Sequence, residues 1–399
     1  MARSMNVLFL TIALPDLNNS SNMYGDLIQE YIKQGHKVYT VAPTAKEKTH
    51  ISVENKVEVL RVKTLTLFGV GNVKKGIAYQ MLIPQYLLAI KKYFSNIHVD
   101  LIICHTPPLE FALIMQVLKK KFKCSFYLLL RDYIWQDAVG LGIIKEKGII
   151  CRYYRYLEKK MYQLADGIGC MSQGNIEFVK YYYPDLNAAK LHILDNFQSP
   201  QVKVEKDDDL RTKYELKGKF VSVYGGNMGV SQKMENILAL AQACMEYNDV
   251  IFLLIGNGTS FKKLKIRAQQ IQLTNIKFYD FIPRDEYQKL MAQCNLGLIS
   301  LNENLKIPNI PSKTISYFNM SIPILASIDY VTDYGELLES TNSGLWSYGG
   351  DLKTLKANFD KLYHSQDLRD EMGENGYHYY CKNMTAEYAY HKIMDFLNK

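Results

Sequence analysis

Three segments in the second half of the chain have residue types suited to gripping a phosphate. Tyr224-Gly225-Gly226-Asn227-Met228-Gly229 ends an apolar run. Glycines let backbone N–H groups approach an anion closely, and a helix start beyond such a loop adds a favourable field. One strand later, Leu254-Ile255-Gly256-Asn257-Gly258 repeats the arrangement. Either turn alone is equally an ordinary tight turn, because glycine adopts positive φ without strain. At the carboxyl ends of neighbouring strands, the pair makes a concave wall. The third segment is Ile310-Pro311-Ser312-Lys313-Thr314-Ile315-Ser316-Tyr317. Pro311 suits a helix start, Ser312 is a candidate cap, and Lys313 stands where its charge can neutralise a diphosphate. An isolated first-turn lysine is usually only solvated. Two glycine turns opposite it favour the phosphate reading.

The first half has fewer such residues. Arg131-Asp132-Tyr133-Ile134-Trp135 follows an apolar run, and His105 follows another. Charged groups at the carboxyl end of a parallel strand face the ligand crevice. A structural Arg–Asp pair and a structural histidine are the alternatives. The chain has no Ser–His–Asp spacing, HExxH or catalytic carboxylate pair. The loop at 225–229 is not GxGxxG and no ribose-binding acid ends a suitable second strand, which argues against a dinucleotide-dependent oxidoreductase. The runs 119–123 and 152–160 mix lysine and arginine with aromatic rings. That mixture suits a membrane interface or a solvated helix face.

These residues need a scaffold. The 399 residues are 48% hydrophobic, enough for two domains with real cores. Apolar strand-like runs alternate with helical patterns from residue 6 to 197, and a fresh series begins near 220. Alternation of this kind builds doubly wound parallel sheets, so the fold class is α/β. The pattern becomes irregular at 196–216, where a linker is placed. The domains are then 1–197 and 198–385, with the helix at 386–399 packing back on the first. Seven cysteines without a CxxC pair read as free thiols, not as a disulfide or zinc framework. The apolar run at 7–15 is too short to span a bilayer and reads as a buried first strand. Residues 1–200 hold 25 lysines and arginines against 16 acidic residues, whereas 201–399 hold 23 against 24. The basic excess lies entirely in the first half, where it suits anionic lipid, a phosphorylated substrate or nucleic acid.

In the order 131–135, 195–196, 224–229 with Gln232 and Glu235-Asn236, 256–258 and 310–316, these motifs resemble those of GT-B-fold glycosyltransferases of the large retaining family 4. The pattern is most similar to the bacterial capsule and O-antigen branch, with its N-acetylfucosamine and colanic acid transferases. The resemblance implies two Rossmann-like domains facing a central cleft. It implies transfer of a sugar, with retention, from a nucleotide-sugar (a UDP-sugar) to a lipid-linked saccharide in surface polysaccharide biosynthesis. Gly225, Gly226, Asn227, Gly229 and Lys313 would meet the diphosphate. Gly256, Asn257, Gly258, Phe281 and Ile282 would surround the nucleoside, with Ser312, Thr314 and Ser316 near ribose or phosphate. His105, Arg131 and Asp132 would line the reacting sugar and, with Lys313, be the catalytic residues, and Asn22, Met23 and Tyr24 would line the acceptor side. The partners implied are the nucleotide-sugar and an undecaprenyl-diphosphate-linked acceptor, with no nucleic acid. The location implied is cytoplasmic, peripheral on the inner membrane face through the basic first half. No cofactor and no metal are expected.

Three departures stand out. Ser316 occupies a position that is glutamate in much of the family. Asn227 and Gln232 stand where an arginine and a lysine are usual, which leaves the diphosphate to backbone amides and Lys313. Ser321 replaces a glycine before the strand proline. The same residues leave a catalytically dead nucleotide-sugar-binding subunit as an alternative. A nucleotide-sugar 2-epimerase of this fold would need clustered carboxylates and histidines, which are not found.

Overall fold

The first sheet is built from short apolar runs that helices cover on both faces. Its strands are β1 (Asn6–Leu10), β2 (Lys37–Thr44), β3 (His50–Glu54), β4 (Val57–Lys63), β5 (Leu101–His105), β6 (Ser125–Leu129), β7 (Gly167–Cys170) and β8 (Leu191–Ile193). They lie in the order β3-β4-β2-β1-β5-β6-β7-β8, and only β3 runs antiparallel. This edge strand was not foreseen. It is joined to β4 through Asn55 and Lys56, both with positive φ (45° and 68°), in a two-residue turn without the usual glycine.

The second sheet contains β9 (Phe220–Gly225), β10 (Val250–Ile255), β11 (Ile276–Tyr279), β12 (Leu296–Ser300), β13 (Ile324–Ile328) and β14 (Gly344–Tyr348). Its order is β11-β10-β9-β12-β13-β14, and every pairing is parallel. Strand order reverses beside β1 in the first sheet and beside β9 in the second. Open α/β sheets bind ligands at the carboxyl ends of the strands flanking such a reversal.

The structure, a computed structural model, describes residues 4–140, 142, 144–200 and 207–398; part of the expected linker and the final residue of the chain lie outside these. The chain divides into Met1–Ser199 with Thr385–Lys399, and Pro200–Met384. The C-terminal helix Ala386–Leu397 adds Tyr390, Ile393 and Met394 to the first core, beside Phe9, Leu27 and Tyr31. The Tyr390 hydroxyl lies 2.7 Å from His36 Nε2. The second core centres on Tyr224, Met228, Ile237, Leu254 and Phe359.

Two helices depart from expectation. The apolar spacing at 80–94 predicts a helix, which in the structure begins eight residues earlier, as Asn72–Tyr93, because its first turns are exposed and carry no buried face to betray them. The pattern at 352–372 predicts one helix, and two form, Leu352–His364 and Gln366–Asn383. Ser365 breaks it and caps the second helix by accepting the Leu368 N–H. No described helix is long and apolar enough to cross a membrane. All seven cysteines are free thiols, five of them buried.

Candidate functional site

In the second unit, β9 carries Gly225 to the strand reversal, and each glycine around it has a neighbour that excludes a side chain. A Cβ on Gly225 would lie 1.9 Å from the Tyr287 hydroxyl. On Gly226 (φ +129°) it would lie 2.9 Å from Lys313 Cε, and on Gly256 (φ +135°) 2.0 Å from the Gly226 carbonyl oxygen. The two glycine turns therefore pack backbone against backbone. The Gly226 N–H donates to Ile255 O, and Met228 N–H to Asn257 O, each at 2.8 Å.

This arrangement narrows the expectation that backbone amides would hold the phosphates to those of Gly229 and Gly258. The amides of Gly226 and Met228 are engaged by the neighbouring turn. Gly229 N–H donates to Gln232 Oε1 at 3.0 Å, and Gly258 N–H to Asn257 Oδ1 at 2.7 Å. Those last two are held only by side-chain amides, which an anion can displace. Asn227 Nδ2 also donates to Gln232 Oε1, at 3.2 Å. The expected helix start is displaced as well. A short 3-10 turn, Val230–Gln232, intervenes, and the α-helix begins at Glu235.

Lys313 opens the helix Lys313–Asn319 and lays its stem over Gly226, with Nζ 4.6 Å from the Tyr224 ring centroid. Among the described residues no carboxylate pairs with it. Burial without a counter-charge lowers its pKa to about 8. A desolvated ammonium with no partner is poised to accept an anion.

The neighbouring residues divide. Ser312 is exposed and makes no side-chain cap, contrary to expectation. Thr314 is fully buried, and its hydroxyl lies 2.7 Å from that of Tyr334, so it anchors the helix and cannot reach a ligand. Ser316 is half-buried one turn beyond Lys313. Phe281 is exposed beyond β11, whereas Ile282 is buried. Two tyrosines were missed. Tyr287 closes over Gly225, and Tyr317 donates from one hydroxyl to Val223 O (3.1 Å) and Leu298 O (3.2 Å), bridging β9 and β12 at the reversal. Tyr317 lay within the third motif; Tyr287 gave no sequence signal beyond its helix.

In the first unit, His105 ends β5 and Thr11 follows β1, so the two meet at that sheet's reversal. His105 Nε2 lies 2.9 Å from Thr11 Oγ1, and the imidazole stacks on Tyr24 at 3.9 Å. Burial holds its pKa at about 3, so it is neutral near pH 7 and a poor proton acceptor. Its expected catalytic role narrows to positioning. Arg131 is likewise corrected. It is buried, and its guanidinium donates to Leu194 O (2.9 Å) and Asp195 O (3.4 Å) and lies 5.6 Å from the Phe197 ring centroid. It braces the strand ends and has no salt bridge to Asp132, which reaches solvent at the carboxyl end of β6 while desolvation raises its carboxyl pKa. Asn22 caps the helix Met23–Lys33, accepting from Gly25 N–H and donating to Ala13 O. Met23 and Tyr24 follow, half-buried. Among the described residues no cluster of metal-ligating side chains occurs.

Residues 206–379 match the family described as Glycosyl transferases group 1. The chain is 30% identical over 132 residues to the probable glycosyltransferase WbjE of Pseudomonas aeruginosa, covering 33% of this chain and 32% of that one. It is 25% identical over 134 residues to the putative colanic acid biosynthesis glycosyl transferase WcaI of Escherichia coli (strain K12), covering 33% of each. The matches thus span about a third of these relatives. Anabaena Alr3699/HepE in complex with UDP and glucose superposes with a TM-score of 0.71 over 99% of both chains, at 13% identity. That likeness extends over both units and identifies a GT-B fold of two Rossmann-like domains. With the glycine turns, Lys313 and the sequence match all falling in the second unit, that unit is a glycosyl transferases group 1 domain.

Proposed function

We propose that the chain is a glycosyltransferase that takes a UDP-sugar as donor and transfers the sugar, with retention, to a lipid-linked saccharide in surface polysaccharide biosynthesis. The observation that carries the reading is Lys313, desolvated, without a counter-ion and laid across Gly226 at the carboxyl end of β9. A diphosphate placed there gains a charge-assisted contact to Lys313 and displaces the Gln232 and Asn257 side chains from the Gly229 and Gly258 amides. The named function of WcaI in colanic acid biosynthesis and the UDP bound by HepE support the acceptor pathway and the donor nucleotide.

In this reading the second unit stabilises charge on the departing diphosphate, and the first unit orients the acceptor. His105 is too weak a base to take the acceptor proton. The leaving phosphate, held beside Lys313, accepts it. The basic excess of the first half brings the protein to an anionic membrane face, where a lipid-linked acceptor resides. The test is a thermal-shift titration of the whole chain with UDP, followed by donor hydrolysis across a panel of UDP-sugars. UDP at 100 times its dissociation constant should add about 2.7 kcal/mol of stability. No shift with any nucleotide defeats the donor assignment; product with inverted configuration defeats retention.

A further inference from the structure

Segments following β1, β2 and β4 line a solvent-open cavity of about 440 Å³ that the proposed chemistry does not use. Ile12, Leu14, Pro43, Leu65, Leu67 and Phe68 line it, and no charged side chain does. Asn22, at the start of the candidate acceptor helix, forms one wall.

The walls are fixed by bonds directed away from the cavity. Arg61 donates to Leu14 O (2.9 Å) and Pro15 O (2.8 Å) while paired with Glu54, which also accepts the Leu17 N–H. Asn22 Nδ2 holds Ala13 O at 2.7 Å. With the Ala13, Leu14 and Pro15 carbonyls engaged, this wall is preformed.

The apolar character continues outward. Leu65 and Phe68 are 46% and 57% exposed, and a few residues further along the chain Val73, Ile77 and Met81 are exposed on the N-terminal half of the helix Asn72–Tyr93. Lys74 and Lys75 are exposed among them. Asn22, Thr64 and Thr66 supply polar groups along the lining, but its larger side chains are apolar. A hydrocarbon chain fills it, and the lysines suit the anionic group such a chain carries.

We infer that this cavity and its apolar lip hold the hydrocarbon chain of a lipid-linked acceptor, placing its anionic head beside Asn22 and the lip lysines. The inference rests on the reading of the first unit as the acceptor side.

The test measures binding of farnesyl diphosphate, geranyl diphosphate and inorganic diphosphate to the full chain by isothermal titration calorimetry. Each buried methylene is worth about fourfold in affinity, so five further carbons, even half-buried, should tighten binding at least tenfold. The double variant Leu65→Ser/Phe68→Ser, altered at two exposed positions, should lose that gain and keep its affinity for UDP. Equal affinity for the two prenyl diphosphates overturns the inference, as does an unchanged farnesyl affinity in the variant. So does a variant that loses binding to phosphatidylglycerol vesicles alone, because the lip would then be a bilayer contact only. UDP titration of the same protein separates the two readings. Absent UDP binding defeats the donor assignment, whereas UDP binding without chain-length dependence defeats only the cavity's role.

Discussion

Replacing Lys313 with methionine should weaken the ligand and strengthen the fold. Its pKa falls from 10.5 to about 8 on folding. At 1.36 kcal/mol per unit this disfavours the buried ammonium by about 3.4 kcal/mol. Partial exposure and the contact with the Tyr224 ring, worth about 0.5–1 kcal/mol, reduce the net penalty to roughly 1–2 kcal/mol. Methionine keeps the stem and removes the charge, so Lys313→Met should be more stable by that amount at pH 7. Bound diphosphate restores a partner, and loss of the charge-assisted bond should cost about 1.5–3 kcal/mol of UDP affinity, or roughly 10- to 150-fold. The pH dependence follows. The pKa rises on binding, so affinity is complete below pH 8 and is lost as pH climbs through the free-state value. UDP should bind about tenfold more weakly at pH 9 than at pH 7, and the variant should not show this slope. Isothermal titration and urea unfolding read both effects. A variant that loses stability while retaining UDP affinity would refute the reasoning, because Lys313 would then be a structural residue.

Gly256→Ala places a methyl 2.0 Å from the Gly226 carbonyl at φ +135° and should cost at least about 3 kcal/mol in urea unfolding, with UDP binding lost alongside. Gln232→Lys exchanges the amide on Gly229 N–H for a cation and should tighten UDP binding several-fold in the same titration, at a stability cost of about 1 kcal/mol. His105, neutral when folded with a pKa of about 3 and near 6.5 when unfolded, makes the unfolded chain take up the extra proton at acid pH. Stability should therefore fall by about 2.3 kcal/mol from this residue alone between pH 6.5 and 4.5, and His105→Gln should flatten that slope in pH-dependent unfolding. Asp132→Asn removes a carboxyl whose pKa desolvation raises, so it should leave UDP affinity unchanged and not lower stability while lowering turnover at least tenfold once an acceptor is in hand.

Much of the scaffold was legible because helices and buried strands announce themselves by local period. Thus β9 to β12 and the helix Ala386–Leu397 appear at or near their expected positions. Elements without a one-sided apolar pattern stayed hidden. β3 lies on an edge, and the first turns of Asn72–Tyr93 are solvent-exposed. The glycine turns and Lys313 were visible as residue types at the ends of runs. Their partners were not.

The sequence by itself determined two α/β domains and the residue types available at the strand ends, because those depend on neighbours a few positions apart. Tertiary structure decided what each polar group does. Arg131 looked catalytic until its guanidinium met the carbonyls of Leu194 and Asp195, and His105 until Thr11, 94 residues away, met its ring. The glycine amides looked free until the second turn and Gln232 engaged them. A hydrogen bond satisfied from a distant strand leaves no trace in local spacing. For the same reason Lys313, left without such a partner among the described residues, stands out as the proposed anion contact only in the folded chain.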